Sequence, residues 1–339
     1  MIAAARVRPV REQTRMLIID AKTDQFTDST IVDLPQVLRP CDLLIVNDAA
    51  TLPASFRAKS PSGASVEIRL VSHIGESDWK AVLMGEGTWR IPTELRGLPE
   101  FLKVGSRFEI AQEFSAEVIE VAAESNRLVS LRFSKRGSAM WSGIYAYGRP
   151  IQYSYLSDEL RLWSVQTVYA SRPWAVEMPS AGYPLIWKTL LELKRRGIRV
   201  AKLTHAAGLS STGDDTLDSR LPFPEQFEIP SETIEAVALA RRSGGRVIAV
   251  GTTVVRALEG SHARNGNLEA GKGCTDLVID GRSQRQVVDG LLTGMHDPAQ
   301  SHFRLLRAFA DENLLRRAWR HAAASGYLCH EFGDVCLIV

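Results

Sequence analysis

Runs of apolar residues and the spacing of the polar ones between them give the chain three textures. Near the start, "RMLIID" (15–20) and "DLLIVND" (42–48) read as strands, the second apolar throughout as a strand covered on both faces would be. From about residue 56 to 150 the pattern shortens to "SVEIRLV", "WKAVLM", "SRFEIA", "AEVIEVA" and "RLVSLRF", separated by turn residues, which predicts a small barrel or sandwich. Beyond 150, helix and strand patterns alternate: a helix over 184–196, a strand over 198–203, a helix after Ser231 and the strand "RVIAV". "TDLVI" and "QVVDGLLTG" read as strands, followed by helices over 298–310 and 312–325, the second opened by Asp311 and closed by Gly326. "DVCLIV" makes a final buried strand. The economical architecture is an α/β main domain of residues 1–56 plus 151–339, with an inserted, barrel-like all-β domain over 57–150.

Bulk properties narrow the function class. At 339 residues the chain exceeds what a single core usually organises, so two domains or a large domain with an insertion is expected. Forty-one basic against thirty-nine acidic residues give a formal charge of +2, too little to mark a nucleic-acid binder by its total, so such a surface has to be local. Arg6, Arg8 and Arg11 interrupt the first segment where an export signal needs an apolar core, and no stretch of about 18 apolar residues offers a membrane span. Cys41, Cys274, Cys329 and Cys336 are scattered without a CxxC pair, which fits a reducing cytoplasm and argues against a cysteine metal site.

Chemistry-bearing residues gather at strand ends. In "VIAVGTTVVRALEG" (247–260) an apolar run meets a helical pattern whose first N–H groups lack partners and attract anions. Thr252 and Thr253 are placed to cap that terminus, and Thr252, Arg256 and Glu259 share one face at i, i+4 and i+7. The plainer alternative is an ordinary cap with Arg256 paired to Glu259 on a solvated face. His296 follows the strand "LLTG", where α/β domains place reactive groups, and imidazole titrates near neutrality. Gln166 and Tyr169 lie beside an apolar run, and Gly182 sits in a turn where a small residue admits close approach. Glu225, Asp276, Asp289 and Asp334 flank apolar runs as candidates to bind hydroxyls or accept a proton, each equally readable as a cap or salt-bridge partner. His302 stands too far along the helical pattern from His296 to assume a metal pair, and no metal is expected.

The ordered series "REQTRMLIID", "VDLPQVLRPCDLLIVND", "VEIRL", "QTVYA", "PSAG", "GGRVIAVGTTVVRALE", "TDLVI", "VVDGLLTGMHDP" and "FGDVCLIV" resembles the S-adenosylmethionine:tRNA ribosyltransferase-isomerase family of queuosine biosynthesis over nearly the whole chain. The resemblance implies an α/β domain with an inserted β-barrel, S-adenosylmethionine as cosubstrate, and a tRNA carrying 7-aminomethyl-7-deazaguanine at the wobble position. Members move and rearrange the ribosyl part of the cosubstrate onto that amine, releasing adenine and methionine and leaving epoxyqueuosine. On this basis His296, Asp289, Glu225 and His205 are the expected catalytic residues, with Asp276 and Asp289 able to address ribose or amine. Gln166, Tyr169, Gly182, Thr252, Thr253, Arg256, Asp276 and Asp334 are expected to hold the cosubstrate.

The chain also departs from the family pattern. Ala50 and Ser55 stand for two arginines, Pro184 for a histidine in "PSAGYPL", and Arg220 and Phe223 for the histidines that precede Glu225. Losing a charge-assisted hydrogen bond typically costs about 1.5 to 3 kcal/mol, so these changes open two alternatives: a paralogue using S-adenosylmethionine on another acceptor, or a non-catalytic binder of it. The sequence leaves the oligomeric state open.

Overall fold

The computed structural model describes residues 1–100, 102–298 and 301–339. Nine strands form the main sheet, in the order Gly271–Thr275, Glu225–Ile229, Arg199–His205, Leu43–Asn47, Val247–Val250, Gly290–Gly294, Val335–Ile338, Arg15–Asp20 and Gln25–Thr30. Arg199–His205, Leu43–Asn47, Val247–Val250 and Gly290–Gly294 run parallel to one another, and the pairs at both edges are antiparallel. Every residue of Leu43–Asn47 and Val247–Val250 is buried, as the unbroken apolar runs required.

Strand alternation sends these side chains to two separate cores. Leu43, Ile45, Val247 and Ala249 pack with the helices Ser231–Arg242, Thr252–Asn265 and Glu312–Ala324. Leu44, Val46, Ile248 and Val250 pack on the other face with Trp187–Arg195. Asp311 opens Glu312–Ala324 as expected, accepting from the N–H groups of Asn313 and Leu314.

The middle segment is a closed six-stranded barrel: Phe114–Val121, Leu128–Phe133, Asp78–Met84, Ser65–His73, Ser55–Lys59 and Arg107–Ala111, each antiparallel to its neighbours. Its core centres on Phe114 stacked on Phe133 at 4.9 Å, with Phe56 against Phe133. The helix Gly137–Tyr147 lies so close that a methyl group on Gly143 would overlap the Phe114 ring. The chain enters and leaves the barrel side by side, since Ser55 and Arg149 exchange backbone hydrogen bonds at 2.9 and 2.8 Å.

Two expectations at the sheet's edge change. "TDLVI" is not a strand; the polar segment Gly271–Thr275 pairs instead, and Ile279 turns into the core beyond it. The helix expected over 298–310 is the shorter Ser301–Leu306, and residues 299 and 300 of that expectation lie outside the described ones.

Candidate active site at the carboxyl ends of the strands

Four parallel strands finish at the same edge of the sheet, in Asn47, His205, Val250 and Gly294. In open α/β sheets this edge is where ligands bind. Asn47, the last residue of Leu43–Asn47, ties three of these ends together. Its Oδ1 accepts from the N–H groups of Ala49 and His205 at 3.1 and 2.9 Å, and its Nδ2 donates to the His205 carbonyl at 3.0 Å and reaches Thr253 Oγ1 at 3.4 Å.

The helix Thr252–Asn265 starts here, with a correction. Gly251 is the residue before the first turn, at φ +89°, a conformation that favours glycine, and neither threonine side chain caps the helix. Thr252 and Thr253 are therefore the first two helical residues. Arg256 is buried and does not pair with Glu259. Its Nη1 donates to Glu225 Oε2 in a short ion pair, its Nε donates to the Leu277 carbonyl at 3.3 Å, and its Nη2 has no protein acceptor. Glu259 instead accepts from three backbone N–H groups, of Gln286, Val287 and Val288, at 2.9 to 3.0 Å. Those charge-assisted bonds, about 1.5 to 3 kcal/mol each, pin the loop that leads into Gly290–Gly294.

Around Arg256 the structure gathers His205, Glu225 and His302. His205 is fully buried with its Nε2 3.4 Å from Glu225 Oε2, and neither ring nitrogen makes a hydrogen bond. Burial, then the adjacent Arg256 charge, lower its pKa to about 3, so it is neutral in the fold. Burial raises the Glu225 carboxyl, a rise that Arg256 and the Gly208 N–H, donating at 2.7 Å, oppose. His302 is held low by burial and by Arg256.

His296 lies beside this group, its ring stacked on His302 at 5.0 Å and 11°, with Nε2 2.9 Å from the Thr293 hydroxyl. Burial first, then His302 and His330, push its pKa well below the ordinary value, leaving a neutral imidazole. A neutral ring can take a proton from a reacting group and return it. Among the described residues, no cluster of three or more His, Cys, Asp or Glu is arranged to hold a metal ion.

Tyr169 and Gly182 meet at this edge, and Ala181, preceding Gly182, lies in van der Waals reach of a methyl placed on Gly251. A methyl on Gly182 would overlap the Tyr169 hydroxyl, so the glycine is required by that approach. Gly182→Ala should destabilise the protein by about 1 to 3 kcal/mol in urea unfolding, and Tyr169→Phe in the same chain should recover part of it. Equal stability of Gly182→Ala and the parent would refute the contact. Gln166 is engaged structurally, its amide exchanging bonds with the backbone of Thr51 at 2.9 Å each way.

The three other carboxylates expected in the site divide: Asp289 stands apart from it, while Asp334 and Asp276 lie at its margin. Asp289 precedes Gly290–Gly294 and accepts from the Val247 N–H at 2.8 Å, at the amino ends of the strands, a full strand length from His296. Asp334 sits at the right edge of the sheet, but its oxygens are taken by the N–H groups of Arg15 and Leu328 and by Arg8 at 2.8 to 2.9 Å. Asp276 is exposed between Thr275, which pairs with Glu225, and Leu277, whose carbonyl accepts from Arg256. Conversely, Asn47 and the proximity of His302 to Arg256 had no local signal, because each depends on bringing distant strands together.

A family model described as "Queuosine biosynthesis protein" matches residues 1–338. Proteins named S-adenosylmethionine:tRNA ribosyltransferase-isomerase are similar throughout: that of Trichlorobacter lovleyi is 30% identical over 97% of this chain and 94% of its own length. The Acidithiobacillus ferrooxidans protein is 33% identical over 97% of this chain and 92% of its own. The crystal structure of S-adenosylmethionine tRNA ribosyltransferase from Thermotoga maritima superposes with a TM-score of 0.54 at 26% identity, covering 100% of this chain and 96% of that one.

Proposed function

The chain belongs to the queuosine biosynthesis protein family, a family of transferase-isomerase enzymes, and from that premise we propose that it transfers and isomerises the ribosyl group of S-adenosylmethionine onto an amine. The default acceptor is tRNA carrying 7-aminomethyl-7-deazaguanine, the product epoxyqueuosine, and the released groups adenine and methionine.

The observation that supports this most is the buried Arg256 with one amino group unmatched, four residues into a helix whose first turn has no side-chain cap. A buried donor without a partner is costly, and an anionic ligand group removes the cost. The methionine carboxylate is such a group, and the free N–H groups of Thr252 and Thr253 add to its attraction. The sulfonium acidifies the adjacent C5′ hydrogens, so a base can remove one and expel adenine; the amine then adds, and epoxide closure expels methionine. His296, neutral and at the same edge, is our choice for that proton transfer. Adenine release from S-adenosylmethionine with the modified tRNA tests the reaction. His296→Ala should lower kcat by about 100-fold or more with cosubstrate affinity retained, and an unchanged kcat would remove His296 from the mechanism.

A second reading, with a different amine acceptor, draws on the replaced positions. Arg220 is turned outward to pair with Glu124 at 2.7 Å, Phe223 packs against the barrel core, and Pro184 is buried. Ser55 donates to Glu67 at 2.9 Å within the barrel, and Ala50 lies in the short strand Ala49–Thr51. None of these supplies a donor in place of the family's arginines and histidines. Mass analysis of products from a panel of primary amines separates the two acceptors. Binding of S-adenosylmethionine without adenine release under any acceptor would favour a non-catalytic role.

The chain has no helix among the described residues long and apolar enough to cross a membrane. A cytoplasmic enzyme is the corresponding proposal.

A further inference from the structure

A wall of stacked rings runs from the His296 edge toward the barrel. Tyr153 and Tyr155 lie with ring centroids 6.0 Å apart and planes 15° from parallel. His330 stacks on Tyr155 at 4.2 Å, and the Arg69 guanidinium lies 5.3 Å from the Tyr153 centroid. His330 also opposes protonation of His296, so the wall is within electrostatic reach of the proposed base. Each phenol donates to a carboxylate in a short bond: Tyr153 to Glu177 Oε1, and Tyr155 to Glu331 Oε2. Ser210 completes the corner, its N–H donating to Glu177 Oε1 and its hydroxyl to the Tyr153 oxygen, both at 3.1 Å.

Two features of this corner are unmet within the protein. Both donors to Glu177 fall on Oε1, and no described donor reaches Oε2. Arg69, with only 1% of its side chain exposed, is held by Glu67 and by the Gln152 carbonyl through Nε and Nη2, but its Nη1 has no acceptor. A carboxylate pair alone would be a solvated face. A free carboxylate oxygen within electrostatic reach of a buried, unmatched guanidinium is the complement of a ligand that carries an ammonium next to a carbonyl oxygen.

We propose that Glu177 receives the acceptor amine and removes its proton, making the tyrosine–glutamate wall the acceptor side of the site. The inference rests on the amine-transfer reading above. A primary amine with a pKa of about 10 is an ammonium near neutral pH and has no lone pair to share. The Glu177 carboxylate takes one N–H proton, the freed lone pair forms the C–N bond to the ribosyl fragment that adenine has left, and the proton passes to water past exposed Ser210. Burial pushes the Glu177 carboxyl up to about 7, aided by the Glu331 charge, which brings it near the working pH of a general base. Glu331 adds a second negative charge that draws the cation in.

The test uses Glu177→Gln and Glu177→Asp in the full chain, with thermal unfolding to confirm both fold. In single-turnover formation of epoxyqueuosine on the modified tRNA, the parent should lose rate below about pH 7, and Glu177→Gln should fall about 100-fold and lose that acid limb while binding S-adenosylmethionine and releasing adenine as before. Glu177→Asp should keep the limb at a reduced rate. An independent arm follows the carboxyl carbon of Glu177 by NMR, assigned by its absence in Glu177→Gln. tRNA bearing 7-aminomethyl-7-deazaguanine should shift it, and tRNA bearing unmodified guanine should not. An acid limb that survives in Glu177→Gln, or a resonance indifferent to the amine, overturns the inference. Failure to bind S-adenosylmethionine or release adenine with the resonance still responding overturns the reaction assignment and leaves the amine site standing.

Discussion

Arg256→Ala should abolish detectable S-adenosylmethionine binding and lower stability by about 3 to 5 kcal/mol, because one substitution removes a ligand contact and strands a buried carboxylate. Glu225 is buried and shares Oε2 between Arg256 and the neighbourhood of His205, so without the guanidinium it is left charged and unpaired, or takes up a proton. Arg256→Lys should not rescue binding, since an ammonium cannot at once meet Glu225, the Leu277 carbonyl and a ligand. The double variant Arg256→Met with Glu225→Gln should recover part of the stability and none of the binding. Calorimetry and urea unfolding on the same four proteins read both effects. Retained affinity in Arg256→Ala would place the carboxylate grip elsewhere.

The second large effect is acid sensitivity above the range of ordinary carboxylates. His205 has a folded pKa of about 3 against 6.5 when unfolded, and His296 is shifted in the same direction. Below about pH 6.5 the unfolded chain takes protons that the folded chain refuses. The stability these rings contribute is therefore complete above 6.5 and is lost as the pH falls toward their folded values. Between about pH 6.5 and 5.5 His205 and His296 each cost about 1 kcal/mol and His302 adds to the loss, while Glu177, raised to about 7, offsets about one ring's share by taking up a proton in the fold, so the net loss is about 1 to 2 kcal/mol. Glu225, raised by burial, acts oppositely once the pH drops into its own range, so the slope should soften lower down. Urea unfolding at stepped pH checks this, with His205→Gln expected to flatten the slope and Glu177→Gln to steepen it. A profile from 7.5 to 5.5 that stays flat in Glu177→Gln would show that the rings are hydrated or protonated in the fold.

Much of the scaffold was legible because apolar periodicity reports burial directly. Leu43–Asn47, expected as a doubly covered strand, and Val247–Val250, expected as a strand, are both buried throughout, and the short alternating runs became the strands of a closed barrel. The edge was not legible. Gly271–Thr275 is held by backbone pairing to Glu225–Ile229, and Gly273 is needed only because a side chain there would strike the Phe227 ring. The site was half legible for the same reason. Residues that follow strands can be named, but whether Arg256 answers Glu259 on its own helix or Glu225 on another strand is decided by packing. Asp289 shows the limit in another way: within "QVVDGLLTG" it looks like part of a strand, yet the strand begins one residue later and puts it at the far edge.

The position of the last strand has a consequence for synthesis. Val335–Ile338 lies between Gly290–Gly294, which carries the chain to His296, and Arg15–Asp20 near the start. The barrel's strands all fall within residues 55–133 and can pair well before residue 335 is made, whereas the main sheet keeps an interior gap until residues 335–338 arrive. A nascent or nicked chain lacking that strand would present Gly290–Gly294 as an open edge and hold His296 on an unsupported ledge. Ligand capture is thus deferred until residues 335–338 have been made, and a fragment stalled before them should be a target for proteolysis before it can sequester cosubstrate.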